Sequence, residues 1–86
     1  GLRTLIGAPN FQLLQAAGAE VIVVDDDATR AAMRLLWEVL KQVVEPSSAI
    51  VLAAVLAQPA RFAGQRVGLV LSGGNVDLPA LRWEVA

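Results

Sequence analysis

Two apolar runs constrain the fold of this sequence more than any other feature. Val21-Ile22-Val23-Val24 is β-branched throughout and lies between Gly18 and an aspartate cluster, so it reads as a buried strand. Val67-Gly68-Leu69-Val70-Leu71 is continuously apolar, as central parallel strands are. Helical patterns precede the first run and separate it from the second. The order helix, strand, two helices, strand predicts an α/β unit with a right-handed crossover. The expected architecture is a pair of parallel strands, at about 20–24 and 67–71, with covering helices.

The helices have readable boundaries. Residues 10–17 suit a short helix that Pro9 and Asn10 open and Gly18 stops. A longer helix is expected from Ala28 to Val43, capped by Asp26 or Asp27, with the acidic cluster complementing its dipole. Its apolar stripe is Ala32, Leu35, Leu36, Val39, Leu40 and Val43, and Arg34 and Glu38 are spaced to pair on the other side. Helix capping explains the aspartates better than a metal site does. Trp37 lies at the edge of the polar face, either flat over charged stems or against another domain or subunit. Pro46 fits the first turn of the next helix, with Glu45 at its N-cap. Ala49 to Ala57 is apolar all round, Gln58 and Pro59 end that helix, and Ala63-Gly64-Gln65 is a turn. Asp77 to Leu81 reads as a turn or short helix.

Composition bears on what such a unit can do alone. Eighty-six residues make one small domain, yet 56% are hydrophobic and only 17% charged. So small a domain has trouble hiding that much apolar surface, which points to a part of something larger. A net charge of −1 leaves no electrostatic footprint for nucleic acid. No cysteine or histidine is present, which removes disulfides, thiolate metal sites and the commonest general base. The longest apolar run falls short of the roughly 20 residues a membrane span needs, and no signal peptide opens the sequence. The default location is the cytoplasm. The chain starts at Gly1 rather than Met, consistent with a missing upstream region, with processing or with an artificial boundary.

The loop Ser72-Gly73-Gly74-Asn75 follows the second apolar run directly. Polar glycine-rich loops at the carboxyl ends of parallel strands are where open α/β sheets bind ligands. Gly73 and Gly74 would permit positive φ and close approach to a planar ligand, and Ser72 offers a hydroxyl at its edge. A plain turn leaving a strand explains the same residues. Neither the P-loop pattern nor GxGxxG is present.

Leu71-Ser72-Gly73-Gly74-Asn75-Val76-Asp77-Leu78 resembles the C-terminal signature of the serine/threonine dehydratase and serine racemase family of pyridoxal-phosphate enzymes. Val43-Val44-Glu45-Pro46-Ser47-Ser48-Ala49 is similar to that family's Glu-Pro-Ser segment and lies at the right distance upstream. Gly1-Leu2-Arg3-Thr4 with Gly7, and Ala32 to Glu38, match further blocks, so the resemblance covers essentially the whole chain. It implies the C-terminal segment, residues 1–86, of the large cofactor-binding domain of a three-layer, fold type II enzyme. It implies that the Ser72 hydroxyl meets the pyridine nitrogen of pyridoxal phosphate. Gly73 and Gly74 would line the pocket, Glu45 would sit near the cofactor edge or simply cap its helix, and Gly1 and Leu2 would border the ring. A serine hydroxyl is too weak an acid to protonate the ring nitrogen but can donate a hydrogen bond to it, which makes the ring a milder electron sink. That suits removal of an α-proton and loss of a β-hydroxyl from a small amino acid.

The family's Schiff-base lysine, phosphate loop and substrate-carboxylate loop lie upstream of such a segment. The lone lysine, Lys41, falls outside any matching motif. No catalytic residue and no metal ligand is assigned here, and the chain alone should not catalyse dehydration or racemisation. The expected partners are a small amino-acid substrate and the N-terminal part of the same enzyme, and a homodimer is compatible. The competing reading is a non-catalytic binding or interaction module that retains the fold.

Overall fold

The computed structural model describes residues 6–80. They form helices α1 (Ala8–Ala16), α2 (Asp26–Leu40), α3 (Pro46–Ala57) and α4 (Pro59–Phe62), followed by a 3-10 turn at Leu78–Ala80. Gly1, Leu2 and the other residues of the first matching block before Gly7 lie outside the described residues, as does everything after Ala80.

The centre of the fold is the α2–α3 hairpin. Asp25, one residue earlier than expected, caps α2: its Oδ1 accepts from the Ala28 N–H at 2.6 Å. Asp26 and Asp27 occupy the first turn, where negative charge meets the helix dipole. The buried stripe of α2 is Thr29, Ala32, Met33 and Leu36, and the Thr29 hydroxyl donates to the Asp25 carbonyl at 3.0 Å. On the opposite side the expected Arg34–Glu38 pair forms at 2.6 Å. It is exposed, so it adds only about 0.3–0.5 kcal/mol.

α2 stops three residues short of Val43 because Lys41 adopts a left-handed conformation, φ 58°. Among the described residues it is the one non-glycine with positive φ. Its ammonium donates to the Glu38 carbonyl at 2.5 Å, so the side chain helps close the helix end it caps. Pro46 then begins α3, with Glu45 at the N-cap as expected. α3 lies on α2 through small side chains: Ala32 and Ala49 are fully buried and Ala53 is 1% exposed. Met33, Leu36 and Val44 complete the core, and Val76 packs against it from the far end of the chain. The hydroxyl of Ser48, also buried on α3, has no hydrogen-bond partner among the described residues.

Pro59, expected only to end α3, opens the four-residue helix α4. Arg61 on α4 pairs with Glu20, an exposed tie to the run after α1. α1 itself buries nothing and ends where Gly18 turns left-handed at φ 74°. Gly64 takes the same conformation in the expected turn after α4.

The expected parallel strands do not form among the described residues. Residues 19–25 and 66–77 carry neither helix nor strand pairing. A strand exists only when a neighbour satisfies its backbone N–H and C=O groups. These two runs do not lie side by side as a ladder, and no other described segment offers an edge. Alternate side chains of the first run are left outside, with Val21 89% and Val23 87% exposed, while Ile22 and Val24 are half-buried and Val24 packs on the core.

The whole chain therefore shows too much surface. Its accessible area is 6872 Å², whereas a compact protein of this mass exposes about 4,900 Å². Its radius of gyration is 14.6 Å, against about 12 Å for a compact domain of this length. An open apolar trough of about 430 Å³, lined by Leu35, Leu36, Val39 and Leu40 of α2, Leu52 of α3, and Leu69 and Leu71, runs between the hairpin and the second apolar run.

Candidate functional site

The fold brings the two motifs of the sequence together. The Glu45 N–H donates to the Gly73 carbonyl at 3.1 Å, joining the start of α3 to the Ser72-Gly73-Gly74-Asn75 loop. A Cβ at Gly73 would overlap the Glu45 carboxylate. A Cβ at Gly74 would stand 2.7 Å from the Val43 carbonyl oxygen, closer than real contacts allow. The Val76 N–H then donates to the Gly74 carbonyl at 2.8 Å and turns the loop back towards the core.

At Gly74 a side chain would collide with backbone, whereas at Gly73 it would displace a flexible carboxylate. Among the described residues neither Gly73 nor Gly74 has positive φ. Their missing side chains are used to seat the loop on residues 43–45. Val43 and Val76, which belong to the two matching motifs but were expected to have no role at the site, complete that seat. A pair of adjacent glycines next to an apolar run was the available signal: close backbone approach is the second reason for glycine after positive φ.

Ser72 is exposed, while Gly73 and Glu45 are half-buried. The loop therefore offers a neutral donor and acceptor on a backbone whose next residue is pinned. Glu45 serves as backbone N-cap to α3 without a side-chain capping bond, so its carboxylate is not consumed by the helix. Lys41 closes α2 and is exposed. Trp37, 43% exposed, lines a shallow groove with Glu38 and Lys41, as its place at the polar edge suggested. No described helix is long and apolar enough to cross a membrane.

The family model for pyridoxal-phosphate dependent enzymes matches residues 1–73, a span that runs through Glu45 to Gly73. The chain belongs to that family. Its members named here are enzymes, and the cofactor of the family is pyridoxal phosphate. The β-hydroxyaspartate dehydratase of Paracoccus denitrificans (strain Pd 1222) is 48% identical over 66 residues, covering 77% of this chain and 21% of that protein. The serine racemase of Dictyostelium discoideum is 41% identical over 83 residues, covering 94% of this chain and 26% of that protein. The serine racemase of Rattus norvegicus is 36% identical, covering 96% and 26% respectively. The chain thus spans about a quarter or less of the length of these family members. No solved structure matches it significantly.

The donor set fits the family's cofactor on chemical grounds. A pyridine nitrogen needs a hydrogen-bonding partner in its plane, and Ser72 offers an exposed hydroxyl on a fixed loop. Gly1 and Leu2, the remaining expected cofactor neighbours, fall outside the described residues.

Proposed function

We propose that this chain is the C-terminal portion of a pyridoxal-phosphate-dependent ammonia-lyase or racemase acting on small β-hydroxy amino acids. Its part is the ring-nitrogen wall of the cofactor pocket, with Ser72 as the contact and Gly73, Gly74 and Glu45 around it. The observation that carries this reading is the seat of the Ser72 loop on Glu45, which unites the two most specific motifs in one place. The relatives named serine racemase and β-hydroxyaspartate dehydratase support the substrate class. Bound pyridoxal phosphate would supply the electron sink for loss of an α-proton. Ser72 would hold the ring nitrogen by a neutral hydrogen bond and leave it unprotonated. The lysine, phosphate-binding and substrate-carboxylate groups would come from an N-terminal part of the same polypeptide, and the excess surface and the leucine trough fit such a complement.

The same trough also favours the second reading, a non-catalytic module that docks on another chain. A Ser-x-Gly-Asn segment neighbouring a lysine upstream of Gly1 in the encoded sequence would decide for the enzyme. Ser72→Ala in the full-length polypeptide tests the site itself. Weaker cofactor binding, a displaced cofactor absorbance band and slower turnover are expected; unchanged spectra and rates would sink the assignment.

A further inference from the structure

We infer that Glu45 is a positioning residue for Ser72, acting through Gly73. This rests on the reading that Ser72 meets the cofactor. Glu45 engages Gly73 at two points. Its N–H holds the Gly73 carbonyl at 3.1 Å, and its carboxylate occupies the space where a side chain at Gly73 would begin. The first contact fixes the distance between the loop and the start of α3. The second blocks the loop from sinking further towards α3. Because Gly73 is bonded directly to Ser72, both contacts limit where the Ser72 hydroxyl can stand.

The two glycines differ in how they answer to enlargement. At Gly74 the obstacle is the backbone carbonyl of Val43, so a methyl there must push the loop away. At Gly73 the obstacle is the far end of a flexible side chain, which can swing aside. Gly73→Ala therefore evicts the Glu45 carboxylate while leaving a route for the fold to survive. Position 73 becomes a way to remove the carboxylate from its place without removing it from the protein.

The test is a double-mutant cycle in the full-length polypeptide: Gly73→Ala, Glu45→Ala and both together. The readouts are the cofactor dissociation constant, the wavelength of the bound-cofactor absorbance band and the thermal midpoint of the cofactor-free protein. Displacing one neutral hydrogen bond costs about 3- to 10-fold in affinity. Gly73→Ala alone should weaken cofactor binding by about that factor and move the band. In the Glu45→Ala background the same substitution should change binding by less than about twofold, because the group it displaces is gone. Equal losses in both backgrounds would overturn the inference. So would normal cofactor affinity and an unmoved band in Gly73→Ala. Ser72→Ala, measured alongside, separates the two ideas. If it leaves the cofactor unaffected, the Ser72 assignment fails, yet non-additive thermal midpoints in the cofactor-free cycle still report the Glu45–Gly73 contact. If Ser72→Ala weakens binding and the cycle is additive in every readout, the positioning role alone fails.

Discussion

The α2–α3 hairpin and the two apolar runs are made of similar residues and meet opposite fates. In the hairpin, Ala32, Leu36, Ala49 and Ala53 are buried against one another. In the runs, Val21, Val23 and Val70 are at least 77% exposed. The difference is in how each kind of element satisfies its backbone. A helix closes its hydrogen bonds within itself and needs a neighbour only for one face. A strand needs a neighbour for its backbone before its side chains find a core. The hairpin is therefore self-sufficient in these residues, while the runs present unused surface.

The largest expected effect would break the hairpin. Ala49→Leu adds bulk where Ala49 is fully buried, and overpacking of this kind costs about 1–3 kcal/mol. Urea denaturation of the chain followed by helical circular dichroism should show the midpoint falling accordingly; an unmoved midpoint would mean the helices do not pack closely there. Asp25→Ala removes the cap of α2 and should cost about 1 kcal/mol in the same assay. Asp26→Ala, which deletes no capping bond, should cost less and serves as its control. The smallest effect sharpens the contrast from the other side. Val23→Thr should shift the stability of the 86-residue chain by less than about 0.5 kcal/mol, since Val23 is 87% exposed. In the full-length polypeptide the same change should cost clearly more. Equal small effects in both would show that the run stays exposed in the larger protein.

The legibility of the sequence follows the same division. Asp25-Asp26-Asp27, Pro46 and Gly18 are local signals, and they placed the helix boundaries to within a residue or two, because capping depends on neighbours a few positions away. The early end of α2 was not legible, since nothing in a lysine's chemistry announces a left-handed residue, and α4 was hidden behind a proline read as a stop. The strand reading of Val21–Val24 and Val67–Leu71 rested on composition. Composition reports that a segment prefers to be buried, and no described segment supplies the paired backbone edge that a strand also needs. At the candidate site, Glu45 and the Ser72 loop were each visible as motifs. Their contact was not, because it depends on how α3 is placed by Ala49 and Ala53 on Ala32.

Gly73 docks on Glu45, the N-cap of α3, so the loop rests on the start of the hairpin's second helix. The hairpin joins residues that are close along the chain. The loop has to return across α3, α4 and the run after them, and closing that longer stretch costs more chain entropy. The wall assigned to the cofactor is accordingly closed at a higher entropic cost than the hairpin beneath it, and a change that loosens the hairpin loosens the wall as well.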